Sequence, residues 1–190
     1  MKTLFLFLLT AISITVTAQY GGADNISGGS IRLGAGYVHD FPGLAGSAAS
    51  LGYRFPLNEW LQGGIGAKHI STSGFPRTNT VREYTKANTI DFELLLVPLH
   101  TDNAALRIGL GYTFSFYNIR RSYPVYTTNQ DKTTNITWPV TDAKGQVHGT
   151  SLIGEYEYCF GNSFSAGARV EVAKAYGYVV TGGPFVAIKL

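Results

Sequence analysis

His69 and Ser71 flank Ile70, and Glu83 follows further along the chain. A serine hydroxyl becomes a useful nucleophile when a histidine takes its proton, and a carboxylate can orient that histidine. These three residue types, brought together, would make a hydrolase site. Side chains alternate along a strand, so His69 and Ser71 would share one face of any strand that carries them. His39, His100 and His148 are isolated, and they show no metal-ligand spacing with Cys159, the sole cysteine. Gly34-Ala35-Gly36 and Gly109-Leu110-Gly111 are followed by no helical pattern, so neither reads as a phosphate loop. They read instead as small residues that make room for charged neighbours. The residues point to no cofactor.

A larger set of chemically capable residues is Arg32, Arg54, Lys68, Asp91, Glu93, Arg107, Glu155, Glu157, Arg169, Glu171 and Lys189. All eleven stand at alternate positions opposite large apolar residues. They comprise six cations and five anions. On a soluble sheet they would be a solvated face. On the inner face of a barrel, charges of both signs would pair across the lumen, because a buried unpaired charge costs several kcal/mol.

The elements that must position them are strands. After Gln19 no segment has helical periodicity, and the longest apolar run, Leu94 to Leu99, is far shorter than the roughly 20 residues a membrane helix needs. Period-two alternation recurs over residues 30–39, 47–55, 60–69, 87–99, 105–117, 148–160, 164–172 and 185–190. In the fifth of these, Leu106, Ile108, Leu110, Tyr112, Phe114 and Phe116 oppose Arg107, Gly109, Gly111, Thr113 and Ser115. Pro56 to Glu59 and Gly161-Asn162 read as short turns. The connections after the odd-numbered strands read as longer, the longest being residues 70–86 and 118–147. An even number of strands with short turns at one end is the pattern of an eight-stranded antiparallel transmembrane β-barrel, an all-β fold. The alternative is a soluble β-sandwich. Aromatics fall near both strand ends, with Tyr53, Phe55, Trp60, Tyr158, Phe160 and Phe164 at the turns. Tyr37, Phe116, Tyr117, Tyr176 and Tyr178 fall on the loop side, as two interfacial girdles would require. An eight-stranded barrel is barely wide enough for its own side chains, so the eleven charges predict a salt-bridged plug over an ion or proton pathway.

The first residues form a separate unit. Lys2 precedes an apolar run from Leu4 to Leu9, and Val16-Thr17-Ala18 supplies the small residues of a cleavage site. Residues 1–18 therefore read as a secretory signal peptide, leaving residues 19–190 as a barrel domain in the bacterial outer membrane. Losing Lys2 takes the formal charge from +3 to +2, and no basic run exceeds Arg120-Arg121, so nucleic acid is not an expected partner. Charged residues make up 14% of the chain against about 25% in average soluble domains, which suits a sheet facing lipid and lipopolysaccharide. The polar, aromatic-bearing segment 118–147 is long for a structureless connection and would present a surface for a ligand.

The signal peptide ending at Ala18, the strand end Leu94-Leu95-Leu96-Val97-Pro98-Leu99 and the terminal Phe185-Val186-Ala187-Ile188-Lys189-Leu190 resemble the outer-membrane β-barrel domain family of small porin-like proteins. The resemblance covers the whole chain after Ala18. It implies an eight-stranded barrel whose last strand is read by the barrel assembly machinery, although the chain ends in Leu190 where such barrels often end in an aromatic. Lys68-His69-Ile70-Ser71 with Glu83 is also similar to the His-x-Ser…Glu set of outer-membrane lipid A deacylases. Thr72 stands where that motif has Asn, and the motif falls late in those enzymes, so a polar pair at a strand end is the preferred reading. The sequence thus predicts a non-catalytic barrel with a structural or surface-interaction role. A narrow channel for small or apolar solutes is the second reading, and a lipid A deacylase-like esterase the third.

Overall fold

Alternating residues make a wall only if each strand finds a neighbour on both sides. The computed structural model describes residues 29–41, 43–75, 81–101, 103–129, 132 and 134–190, and the expected signal peptide lies outside the described residues. The strands are β1 (Ser30–Asp40), β2 (Ala45–Asn58), β3 (Leu61–Gly74), β4 (Glu83–His100), β5 (Ala104–Ser122), β6 (Val125–Thr128), β7 (Thr134–Thr137), β8 (Val140–Cys159), β9 (Phe164–Lys174) and β10 (Tyr178–Lys189). Eight of them close into an antiparallel barrel in the order β1-β10-β9-β8-β5-β4-β3-β2, while β6 and β7 form a separate two-stranded sheet. First and last strands seal the ring, with Ser30 opposite Lys189 and Asp40 opposite Val179. Closure leaves no open edge in the ring, which matters in lipid, where an unsatisfied backbone group costs several kcal/mol.

The strands differ from the expected ones chiefly at their loop ends. β4 starts at Glu83, β5 runs on to Ser122 and β8 begins at Val140, so much of the expected loops 70–86 and 118–147 is sheet. Past the apolar band of the wall both faces of a strand can be polar, and the contrast that marks a strand in the sequence disappears. Lys86, Asn118 and Lys144 are paired residues of three such strands. The β6–β7 hairpin likewise has exposed side chains throughout. At the turn end, β2 continues through Pro56 to Asn58 with a register shift. The turn is made by Glu59 and Trp60, with the Asn58 side chain accepting a hydrogen bond from the Trp60 amide at 2.9 Å.

The connections after β1 and β9 are as short as the turns, where longer ones were expected. Between β1 and β2, Gly43 has φ +97°, a conformation that favours glycine, and its amide bonds to the Asp40 carbonyl. The Asp40 carboxylate then accepts the Leu44 amide at 2.9 Å, so one residue ties the whole connection. The loop end is therefore tall on the β3-β4-β5-β8 side and low on the other.

The outer wall carries Leu33, Leu51, Leu94, Ile108, Leu110, Leu152 and Val186, all exposed. Inside, from the turn end upward, come a charged zone, then an apolar layer of Val38, Ile70, Ala87 and Val179, then a second polar cluster. Tyr117 and Tyr176 pack against that apolar layer, so they are interior residues and do not belong to the expected outer girdle. The parity of β5 accounts for Tyr117, which shares the inward face of Arg107, Thr113 and Ser115. Ala87 opposite it and Gly145 beside it leave room for the ring.

Candidate functional site in the barrel interior

Ten of the eleven expected charges join in one chain of contacts. Glu155 on β8 is the hub. Its carboxylate lies 2.7 Å from Arg54, 2.6 Å from Arg32, 3.1 Å from Arg107 and 3.7 Å from Arg169. Glu157 pairs with Arg32 and, at 2.5 Å, with Arg107, and it accepts a hydrogen bond from the Ser165 hydroxyl. Arg107 also donates through Nε to Gln62 at 2.7 Å. Glu93 takes Arg54 at 2.8 Å and Arg169 at 2.7 Å, and Arg169 reaches Glu171 at 2.8 Å. Lys68 closes the sequence between Glu171 at 2.7 Å and Asp91 at 3.4 Å. Asp91 accepts further hydrogen bonds from Thr89 and Thr113.

These contacts span the lumen. β2 and β8 stand on opposite sides of the ring, and so do β3 and β9, so Arg54–Glu155 and Lys68–Glu171 are full diameters. Long side chains fill the middle because the facing wall is made of small ones. A Cβ on Gly64 would sit 3.3 Å from the Glu93 carboxylate. A cavity of about 90 Å³ remains against Gly34, Gly36, Ser50, Gly52 and Gly66, which is room for a few waters. Lys189, the eleventh residue, faces inward as expected but donates to the Cys159 sulfur at 3.0 Å and stands apart from the ten. The Arg32 guanidinium lies 4.2 Å above the Phe185 ring, which floors the charged zone.

No family model and no curated protein matches this sequence. Solved structures do match in shape. Neisserial surface protein A shares 10% identity, with 86% of this chain and 98% of that chain covered, at a TM-score of 0.59. This chain has the small outer-membrane β-barrel fold. The attachment invasion locus protein Ail of Yersinia pestis is similar at 14% identity, 86% and 99% coverage and a TM-score of 0.49. The N-terminal barrel of Pseudomonas aeruginosa OprF is similar at 13% identity, 85% and 97% coverage and a TM-score of 0.44. At these identities the likeness concerns the fold of the barrel.

The barrel also holds a cluster that the sequence reading missed. Above the apolar layer, Asp40 accepts Arg121 at 2.8 Å, Thr85 at 2.8 Å and Thr72 at 3.1 Å. Glu83 beside it accepts the Ser122 amide and hydroxyl at 3.1 and 2.5 Å. Continuing the alternation of β1 and β5 would have found both ions, since Asp40 shares the face of Arg32, and Arg121 that of Arg107. Burial and the Asp40 carboxylate push the nearby Tyr176 phenol above its usual pKa. Outside the barrel, Arg120 donates to Asp142 at 2.8 Å, and that hydrogen bond holds the exposed Asp142 carboxyl below its ordinary value.

The hydrolase set does not assemble. His69 is on the outer face, where Nδ1 lies 2.7 Å from the Asn88 side chain. Ser71 shares that face, but Glu83 points inward and is engaged by Ser122. Among the described residues, no cluster of His, Cys, Asp and Glu could hold a metal ion.

Proposed function

We propose that the protein is an integral barrel of the bacterial outer membrane, exported with a signal peptide cleaved after Ala18. Its interior is a charge-filled plug and not an open pore, its role is structural or surface-interacting, and it performs no catalysis. The observation that carries this reading is the continuous ten-residue network, with five cations and five anions, across two diameters of the lumen. An ion entering would have to displace paired charges, and the residual cavity of about 90 Å³ has room for only a few waters. Planar-bilayer recordings on the purified barrel are the test. No stable openings above the leak are expected, whereas large, reproducible channels would overturn the plug and favour transport.

The apolar wall supports contact with membrane lipid. The row Lys86, Asn118 and Lys144, just above it, would meet lipopolysaccharide headgroups, and the β10 end would be what the assembly machinery reads. The β6–β7 hairpin supports the surface role, since it projects beyond the ring and contributes nothing to its closure. Replacing residues 123–139 by an Asn-Gly turn should therefore leave the heat-modifiable gel mobility intact and the unfolding free energy in urea within about 0.5 kcal/mol of the parent. Loss of the shifted band would mean that the hairpin is part of the barrel's own framework.

A further inference from the structure

The sheet β3-β4-β5-β8 rises past the mouth of the barrel, and one of its edges has no neighbour there. β8 pairs with β5 from Val140 opposite Ser122 to Tyr158 opposite Ala104, in unbroken register. Its other edge meets β9 only from Thr150, opposite Lys174, to Cys159. The β9–β10 corner closes against Gly149, where a Cβ would sit 2.4 Å from the Lys174 carbonyl. From Val140 to His148 no described strand flanks β8 on that side. Exposure agrees. On the inward parity of β8, Ser151, Ile153 and Glu155 are buried, whereas Thr141 and Ala143 are exposed.

An unpaired edge offers a row of N–H and C=O groups to any extended chain, and proteins blunt such edges with proline, bulges or inward charges. None of these interrupts Val140–His148. The segment holds no proline, keeps its register on β5, and turns only Thr141, Ala143, Gly145 and Val147 inward. Alternate residues direct their amides to the same side, so about four residues would bond an added strand. That strand's inward side chains would lie over an open-sided cavity of about 200 Å³ lined by Tyr117, Ile119, Tyr123 and Val147. Arg121 there is matched by Asp40 at 2.8 Å, so the cavity favours apolar side chains over charged ones. On the outward face Asp142 is taken by Arg120 at 2.8 Å, which leaves Lys144 as the charge that meets a newcomer. A second copy fits poorly. Two barrels inserted the same way could pair these edges only in parallel, setting one Lys144 beside the other and one Asp142 beside the other, and like charges across strands destabilise. We propose that the Val140–His148 edge binds an extended segment of another protein as an added strand, with apolar side chains inward and a carboxylate opposite Lys144. This rests on the surface-interaction reading and gives it a partner class and a place.

The test uses the full mature barrel in detergent micelles and a short, terminally blocked peptide of alternating valine and threonine, with one central threonine replaced by glutamate. Calorimetry reports affinity, and hydrogen exchange reports which amides become protected. The peptide should bind at or below millimolar concentration and protect amides within Val140–His148. At least one of its two forms N-methylated at alternate residues should bind about tenfold more weakly, since one set of amides must face β8. Lys144→Glu, an exposed change, should weaken the glutamate peptide about fivefold and favour a lysine-bearing one instead, as a cross-strand ion pair would. Absence of binding, protection elsewhere, full affinity in both methylated forms, or an unchanged preference in Lys144→Glu would each overturn the proposal. So would sedimentation showing a dimer that protects the same edge without peptide. Gel mobility on the same samples tests the barrel itself, so a heat-modifiable barrel that ignores the peptide sinks only the edge site.

Discussion

Replacing Glu155 by glutamine is expected to destabilise the barrel by about 3–5 kcal/mol, the cost of leaving buried charge uncompensated. The carboxylate is fully buried and lies within 4 Å of four guanidinium groups, so its loss leaves five cations facing four anions where water is scarce. Glutamine preserves the shape and still accepts a hydrogen bond, which isolates the charge as the cause. Urea unfolding in phospholipid vesicles, followed by circular dichroism and by heat-modifiable mobility, measures the effect. Removing Arg107 as well should recover part of the loss, because the two groups touch and their effects do not add. The exposed Arg120–Asp142 pair is the internal comparison, since water reaches and screens it. If Glu155→Gln costs no more than Asp142→Asn, the lumen is hydrated well enough to solvate its ions and the plug reading fails.

How far the molecule could be read from its residues depends on what each face of a strand touches. Between Leu106 and Phe116 one face is exposed and apolar and the other meets ions, so the alternation is strong and the inward set of β5 is legible by eye. Ten of the network residues follow from that contrast alone. Their pairing partners do not, because Arg54–Glu155 joins residues 101 positions apart, across a diameter set by ring order. Beyond Tyr117 the outer face turns polar, Asn118 and Arg120 replace apolar residues, and the signal that ended the expected strand is a change of side chains, not of backbone. Asp40 and Arg121 were missed for that reason, although their parity is correct. Tyr117 and Tyr176 were misplaced because an aromatic near a strand end fits a girdle and a lumen equally well by composition. Only the parity of β5, and small neighbours such as Ala87, decide between them. The His69, Ser71 and Glu83 set failed through the same rule in reverse, since Glu83 stands one face away from the other two.

Leu110→Arg should separate a membrane barrel from a water-soluble one. Leu110 is exposed, near the middle of the β5 crossing, and its cross-strand neighbours Leu94 and Leu152 are exposed too. On a soluble sheet, replacing an exposed leucine with arginine relieves an apolar surface and changes stability little. At the bilayer midplane the same arginine costs about 2–4 kcal/mol. The variant should therefore fold poorly into phosphatidylcholine vesicles and lose that much in urea. An arginine at Tyr126, on the exposed β6–β7 hairpin, should do neither. Equal stability of Leu110→Arg and the parent would mean that this wall never meets lipid. Arg107 sits on the same strand, three positions away and on the opposite face, where a cation is held by Glu155, Glu157 and Gln62. Arginine is thus expected to stabilise the barrel at one parity of β5 and to damage it at the other, and no soluble sheet with a solvated polar face would make both demands.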